Sequence, residues 1–312
     1  MPTSYVALWK NGELHDRVIA AGSILDSCTL CPRECRVDRN KGRTGFCRTG
    51  MLPVVSGYGP HFGEEKPLVG RNGSGTIFFS GCTMSCIFCQ NYTTSQGMKG
   101  RPVTHEELAG IMIRLRDMGC HNINLVSPTH VVPSILSALE IAAGKGLDIP
   151  LVYNTGTYDS VRTLKLLNGI VDIYMPDAKY GSDTIARDLS GVDGYTGVMK
   201  NAICEMYRQV GDLTCGDGIA MKGLLVRHLV LPGNLAGSAE VMEFIAHRIS
   251  QKSYVNIMDQ YHPAWKAAGT DLLHSYHDLG RPVTGREFGQ ALGYARKIGL
   301  YRGFDTGGSC KS

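Results

Sequence analysis

The chain of 312 residues carries 32 Lys and Arg against 28 Asp and Glu, a net charge of +4, and 43% of its residues are hydrophobic. This length suffices for one large α/β domain with added segments, and the composition is that of a folded protein. The weak, scattered positive charge does not favour nucleic-acid binding. No apolar stretch reaches the roughly 18 residues of a membrane span, and residues 1–10 do not resemble a signal peptide. We therefore expect a cytoplasmic protein with neither nucleic acid nor membrane as partner.

Seven of the eleven cysteines lie before residue 90. In a reducing compartment, cysteines grouped in this way are more often metal ligands or catalytic groups than disulfides. The other four have no partner that their spacing identifies, and we expect them to be core or inert residues. Cys215 or Cys310 could in principle donate a hydrogen atom to a product radical, but their spacing does not support this role. These four are Cys120, Cys204, Cys215 and Cys310.

The first group, the N-terminal cysteines, lies on a glycine-containing loop and consists of Cys28, Cys31, Cys35 and Cys47. Four thiolates within 20 residues suit a metal. Zinc would be structural there, whereas a second iron–sulfur cluster would act as an electron relay or a structural plug. Spacing does not separate these alternatives, because four thiolates bind both metals.

The second group, the loop cysteines, follows the apolar run 76–79 with the spacing Cys-x3-Cys-x2-Cys and consists of Cys82, Cys86 and Cys89. Three neighbouring thiolates can hold three irons of a cubane cluster and leave the fourth iron open to a ligand. The alternatives are buried structural cysteines or part of a zinc site. A short polar loop is a poor place to bury three cysteines, which favours the cluster.

From about residue 76, short apolar runs alternate with helical patterns. Candidate strands are 76–80, 122–127, 149–154, 170–175, 223–231 and 253–258, and candidate helices include 104–118, 133–143, 160–167 and 238–250. This alternation predicts an α/β fold with a parallel sheet and right-handed crossovers, closed or forming an incomplete barrel of about six units.

Polar residues gather after the candidate strands, where parallel strands place ligands. They occupy 127–130, 154–156, 177–179, 232–234 and 260–263. We expect 180–221, with a helix near 199–210, to lie over the mouth or side of the barrel. The domain organisation that we predict is a cysteine-rich segment 1–70, a barrel 71–265 and a helical extension 266–312. Residues 280–284 echo 100–104 as a shared helix-start pattern with a Thr cap and a Glu three residues later.

The loop cysteines, with Phe88 before the last of them, resemble the signature of the radical S-adenosylmethionine (SAM) superfamily. From about residue 28 to 263 the chain also resembles pyruvate formate-lyase activating enzymes, in the branch with an N-terminal cysteine segment. The resemblance implies a partial (β/α)6 barrel, a 4Fe-4S cluster on the loop cysteines and SAM (S-adenosyl-L-methionine) at its open iron. A reductant such as flavodoxin or ferredoxin would then drive cleavage of SAM to a 5′-deoxyadenosyl radical that abstracts hydrogen.

The same resemblance implies which residues lie near SAM. Phe88 matches an aromatic whose backbone faces the adenine, and Asp177 and Lys179 match an Asp-x-Lys motif near the ribose and carboxylate. Arg227 and His262 match further positions near SAM. Their plain alternatives are a weak surface ion pair for Asp177 and Lys179, and a cap of the barrel end for His262.

The chain departs from the family pattern at two positions. Asn154 stands where activating enzymes have an Asp that helps to hold a monovalent cation, and 154–156 also fits a simple turn. The Gly-Gly-Glu of many family members is replaced at 126–130, and we expect Ser127 and Thr129 to accept from the SAM ammonium group. His130, beside them, would be a helix-start residue without a chemical role.

Three functions follow. The resemblance favours an activating enzyme that takes hydrogen from a glycine of a glycyl radical enzyme. A radical SAM enzyme that modifies a small molecule or a peptide, such as an epimerase, would have its mouth narrowed by residues 182–221 or by the N-terminal segment. An alternative of another class is a non-catalytic zinc-binding scaffold, in which both cysteine groups are zinc knuckles.

Overall fold

The computed structural model describes residues 3–269, 275–305, 307 and 310. The strands are β1 (Val54–His61), β2 (Ser74–Phe79), β3 (Arg101–Pro102), β4 (Ile123–Val126), β5 (Leu151–Thr155), β6 (Ile173–Pro176), β7 (Thr214–Gly216), β8 (Ile219–Leu229) and β9 (Tyr254–Met258). The helices are α1 (Ser4–Lys10), α2 (Glu13–Ser23), α3 (Lys66–Val69), α4 (Tyr92–Ser95), α5 (His105–Asp117), α6 (Val132–Gly144), α7 (Val161–Leu166), α8 (Asp183–Ser190), α9 (Tyr195–Val210), α10 (Ser238–Phe244) and α11 (Gly285–Lys297).

Six parallel strands form the centre of the sheet, in the order β2-β4-β5-β6-β8-β9. Each crossover between them carries at least one helix, as parallel pairing requires. β1 and β3 extend the β2 edge in antiparallel fashion, and β7 pairs with β8 as a hairpin. The predicted α/β class with a mainly parallel sheet is confirmed.

The strands are apolar on both faces because both faces are covered. On β5, Leu151 and Tyr153 face the helices, whereas Val152 belongs to a second apolar cluster on the opposite face. Leu68 of α3 is fully buried in that second cluster. Burial of such a side chain contributes about 1.5–3 kcal/mol. The short helix α3 thus fills the inside of the sheet.

The two ends of the parallel series approach each other at the carboxyl edge, by which we mean the edge where the six parallel strands end. The Gln90 side chain, after β2, donates to the carbonyl of Gln260, after β9, at 3.3 Å. The amide of Ala267 donates to the carbonyl of Ile87 at 3.0 Å. Since β2 and β9 do not pair within the described ranges, the sheet is an open arc whose ends meet through loops.

All six predicted strands overlap observed ones, but the antiparallel strands β1, β3 and β7 were not predicted. The predicted helix 238–250 divides into α10 and a π-helical turn, Ile245–Ile249. Both predicted helix starts are capping boxes, formed by Thr104 with Glu107 and by Thr284 with Glu287.

The segment 180–221 contains α8, α9 and β7. Cys215 in β7 forms a disulfide with Cys310, with 6.1 Å between their Cα atoms, a pairing that sequence spacing did not identify. None of the helices in the described part of the chain is both long and apolar enough to cross a membrane.

Candidate active site

The loop cysteines lie at the carboxyl edge, directly after β2. The end of α8 holds the backbone of this loop: the amide of Ser85 donates to the carbonyl of Ser190, and the amide of Ile87 donates to that of Leu189, each at 2.9 Å. Within the loop, the amide of Cys89 donates to the carbonyl of Cys86 at 3.1 Å. The loop is therefore held by a segment that the sequence analysis had expected near the mouth.

Each of the three sulfurs has a polar neighbour. The Ser190 hydroxyl donates to Cys86 Sγ at 2.9 Å, and the amide of Met84 lies 3.4 Å from Cys82 Sγ. Cys89 Sγ lies 3.3 Å from Oγ of Ser95, at the end of α4. Donors aimed at sulfur stabilise thiolates, and thiolates are the form that binds metal.

Neighbouring charged groups affect the pKa values of Cys82 and Cys86. Burial, with a smaller contribution from the neighbouring Cys86 and Cys89, raises the pKa of Cys82 to about 12. Burial likewise raises the pKa of Cys86, while the Lys179 ammonium opposes that shift. A buried group of thiols with raised pKa values binds a cation strongly once the cation replaces the protons.

Lys179 belongs to a charged group that we call the Asp177 cluster, made of Asn154, Asp177, Lys179 and Arg227. Asp177 accepts from Lys179 Nζ at 2.7 Å and from Arg227 Nε at 2.8 Å. Arg227 Nη2 donates to Asn154 Oδ1 at 2.8 Å. Three strands, β5, β6 and β8, thus bring together four of the predicted SAM residues.

The Asp177 cluster is buried and strongly charged. Burial alone would raise the pKa of Asp177, but Arg227 and Lys179 hold it at about 2. The side chains of Asp177 and Lys179 are 18% and 20% exposed, which excludes the alternative of a solvated surface ion pair.

Buried aromatic and imidazole groups fix the backbone of the Asp177 cluster. The Tyr195 hydroxyl accepts from the amide of Lys179 and lies 3.0 Å from the carbonyl of Asp177. His228 lies 2.6 Å from the carbonyl of Ala178 through Nδ1 and 2.9 Å from Oγ of Ser238 through Nε2. The cluster therefore has little freedom to rearrange.

The sequence analysis missed two carboxylates in this group. Glu64 and Glu65 lie between β1 and α3, with carboxylate oxygens 3.6 and 3.5 Å from Arg227 Nη1. Asn256 of β9 donates to Glu65 at 3.0 Å. Three carboxylates thus surround two cations, Arg227 and Lys179. The only sequence signal was an adjacent acidic pair, in a segment whose position on the sheet was not predicted.

Ser127 and Thr129 are placed differently from each other. Ser127, half-buried and with φ of +57°, donates its amide to the carbonyl of Asn154 at 2.9 Å and so lies beside the Asp177 cluster. The Thr129 hydroxyl is buried and donates to Asp159 at 2.8 Å. Asp159 also accepts from Thr155, so Thr129 belongs to a separate buried network. Burial raises the pKa of Asp159, while the three hydroxyl donors oppose that shift.

Phe88 and His262 lie next to the loop cysteines. Phe88 is buried and makes edge contacts with the rings of Tyr180 and Tyr261, at 6.5 and 5.8 Å between centroids. His262 is exposed, with Nδ1 3.2 Å from the Gln90 side chain. The structure therefore brings the predicted residues together at the carboxyl edge, apart from Thr129.

Comparison with known proteins identifies the family. The family model described as the radical SAM superfamily matches residues 76–216. The protein MJ0674 of Methanocaldococcus jannaschii is 33% identical over 294 residues, which cover 91% of this chain and 78% of that protein. This chain belongs to the radical SAM superfamily. A second protein of the same organism, MJ0808, is 30% identical over 126 residues, 35% of each chain.

Two solved structures are similar at low identity. A radical SAM methyltransferase from Sphaerobacter thermophilus has a TM-score of 0.46 at 15% identity, covering 75% of this chain and 69% of that one. HydG, a maturase of the [FeFe]-hydrogenase, has a TM-score of 0.47 at 12% identity, covering 71% and 48%. Both scores are too low to indicate a substrate.

Radical SAM membership implies a 4Fe-4S cluster and SAM, and the residues present fit both groups. Over the described residues, no three His, Cys, Asp or Glu side chains are arranged to hold a single metal ion. Cysteine ligands of a cubane bind separate irons and need not converge on one point. The backbone of Gly156 packs closely against the cysteine loop and Lys179, because a Cβ there would lie 2.9 Å from Met84 Sδ and 3.4 Å from Lys179 Cε. Glycine at 156 lets these three loops meet.

Proposed function

We propose that the loop cysteines hold a 4Fe-4S cluster and that the Asp177 cluster and Phe88 hold SAM beside it. When bound, these groups supply a 5′-deoxyadenosyl radical for hydrogen abstraction from a substrate. The observation that carries the proposal is the position of Lys179, which is hydrogen-bonded to Asp177 and electrostatically coupled to Cys86. In this proposal the loop cysteines and the Asp177 cluster are therefore parts of one site.

The charges of the Asp177 cluster suit a ligand with both signs. SAM carries an ammonium, a carboxylate and a sulfonium group. In this proposal the carboxylates of Asp177, Glu64 and Glu65 face cationic groups, and Lys179 and Arg227 are the available cations for the SAM carboxylate. We assign the Ser127 hydroxyl to the SAM ammonium, because Ser127 lies beside the Asp177 cluster. No side chain is assigned to proton transfer.

The protein would also keep water away from the site, which a reactive carbon radical requires. Arg33 reaches over the loop from the N-terminal segment and donates to the carbonyl of Thr83 at 2.6 Å. Residues 264–268 approach from the other side, where Trp265 stacks on Tyr92 at 6.1 Å between ring centroids. Together with α8, these segments contact the cysteine loop and the helix α4 that follows it.

Two substrate classes follow from the proposal. Activation of a glycyl radical enzyme is the function that the family resemblance favours, and it needs a mouth wide enough for a polypeptide loop. Modification of a small molecule or a peptide would need a narrower mouth, and the contacts of α8 and Arg33 with the cysteine loop support this class. In both cases a one-electron donor such as flavodoxin or ferredoxin would supply the electron.

The test is anaerobic purification, reconstitution with iron and sulfide, and incubation with SAM and a reductant. We expect a brown protein that forms 5′-deoxyadenosine. Cys86→Ala should lose this activity, whereas Cys204→Ser, which changes an exposed cysteine of α9, should retain it. A colourless zinc protein without SAM cleavage would contradict the proposal and support the zinc scaffold.

The substrate classes are separated by adding purified glycyl radical enzymes to the reduced protein with SAM. A glycyl radical doublet in electron paramagnetic resonance (EPR) spectra supports activation of such an enzyme. If candidate partners stay silent while 5′-deoxyadenosine accumulates with a peptide or metabolite mixture, the second class is favoured.

A further inference from the structure

The N-terminal cysteines surround a small cavity of their own. All four line it, together with Arg33, Arg39, Phe46, Thr83 and His130. The hairpin-like backbone of the segment brings the first three together: the amide of Cys28 donates to the carbonyl of Val37 at 3.0 Å, and the amide of Arg36 donates to that of Cys28 at 2.9 Å. Folding has therefore gathered four metal-binding side chains that are spread over 20 residues of sequence.

Two guanidinium groups in the cavity wall indicate an anionic occupant. Arg39 is 1% exposed, and it donates to the carbonyls of Gly50 and His130 and lies 3.8 Å from Cys28 Sγ. Arg33 donates to the carbonyls of Thr83 and Gly191. Within the described ranges, neither arginine has a carboxylate within 4.0 Å. Arg33 is half-buried and lies over the Phe46 ring, 3.3 Å from its centroid, whereas Arg39 is a buried charge. Buried charges are normally paired, and thiolates bound to a metal would supply the negative charge that Arg39 needs.

We propose that the N-terminal cysteines hold a second iron–sulfur cluster, which fastens the N-terminal segment onto the loop of the first. Four thiolates outweigh the positive core of such a cluster, so the centre is an anion that matches two guanidinium groups. Four-thiolate zinc would have the same sign of charge. A zinc site would hold one ion and no sulfide, and the experiment below separates the two. We commit to iron and sulfide because this cavity lies against the loop that we propose to carry the same kind of cluster.

The second centre lies directly against the loop cysteines. Gly81, next to Cys82, has a φ of +86°, and a Cβ there would lie 2.5 Å from the carbonyl oxygen of Cys47. His130 donates through Nε2 to the carbonyl of Ser80 at 2.8 Å, if the tautomer carries its proton there, and its own carbonyl accepts from Arg39. Residues 80–83 of the radical SAM loop are thus held at both ends by residues that line the N-terminal cavity.

The experiment removes the first centre and asks what iron remains. After anaerobic reconstitution, wild-type protein should bind about eight irons and eight sulfides, and the triple variant with serine at all three loop cysteines should keep about four of each. Mössbauer spectra of the triple variant should show a four-thiolate cluster. Adding Cys35→Ser and Cys47→Ser to the triple variant should abolish this iron, whereas adding Cys204→Ser should leave it unchanged.

Two results for the triple variant would overturn the inference. About one zinc per chain in the triple variant would identify a zinc site instead, and the absence of any metal would show that the cysteines are not ligands. If the triple variant does not fold, the wild-type iron count decides, because about four irons would exclude a second cluster. The proposal depends on radical SAM membership only in assigning the first cluster to the neighbouring loop cysteines. Iron in the triple variant is measured without SAM, so failure here is distinguishable from failure of SAM cleavage.

Discussion

Arg227 and Asp177 join neighbouring parallel strands through a hydrogen bond of 2.8 Å between Nε and Oδ1, at the point where the sheet meets the cysteine loop. The same aspartate accepts from Lys179, which acts electrostatically on Cys86. The Asp177 cluster therefore joins the ends of β6 and β8 and also places the Lys179 ammonium near the loop cysteines. Substitutions at Asp177 should affect ligand binding before they affect the fold.

Asp177→Asn should weaken SAM binding about tenfold to a hundredfold, because a hydrogen bond to a charged group contributes about 1.5–3 kcal/mol. The measurement is equilibrium binding of SAM to the reconstituted protein under anaerobic conditions. Asp193→Asn is the control, since Asp193 pairs with Arg187 on the surface. Equal SAM affinities for both variants would show that the Asp177 cluster is not part of the SAM site.

Ser190→Ala should lower the reduction potential of the cluster on the loop cysteines. Its hydroxyl donates to Cys86 Sγ at 2.9 Å, and hydrogen bonds to the ligating sulfurs stabilise the reduced cluster. Loss of one such bond corresponds to about 1 kcal/mol. A redox titration followed by EPR measures the shift, with Ser137→Ala on α6 as the control. An unchanged potential would show that Ser190 has only a structural role.

The stability of the protein should fall between pH 6.5 and pH 4 in part because of His228. Burial lowers the pKa of His228 to about 4, although its bond to the carbonyl of Ala178 opposes the shift. A histidine with a lowered folded pKa favours the fold above its unfolded pKa of about 6.5, and this contribution, up to about 3 kcal/mol, is lost as the pH falls to the folded value. Urea unfolding from pH 7.5 to pH 4.5 tests this. His228→Gln should flatten the profile, and His15→Gln, on the surface, should not.

At pH 7, the free energy of unfolding of Glu65→Gln should equal that of the wild type or exceed it by up to about 1 kcal/mol. Burial raises the pKa of Glu65, Arg227 opposes that shift and Glu64 adds to it. A carboxyl with a raised folded pKa favours the fold at low pH, and this contribution is lost as the pH rises through that value. The difference between variant and wild type should therefore vanish near pH 4. Glu13→Gln is the exposed control, and a large loss of stability at pH 7 would contradict this account.

The parallel part of the fold was accessible from the sequence because six apolar runs are separated by amphipathic helices of crossover length. The antiparallel strands were not. β1 contains four glycine, serine or proline residues and is mostly half-buried, so it lacks the signal of a covered strand. It joins the sheet through antiparallel pairing with β2, the next strand along the chain.

The sequence by itself predicted Cys82, Cys86 and Cys89 as cluster ligands, because they lie within one short loop whose spacing is visible in the chain. Only the tertiary structure decided that Glu64 and Glu65 face Arg227, that Thr129 bonds to Asp159, and that the N-terminal cysteines lie against Gly81. Each of these contacts joins segments distant in sequence, and burial, rather than local spacing, brings their charges within reach of one another.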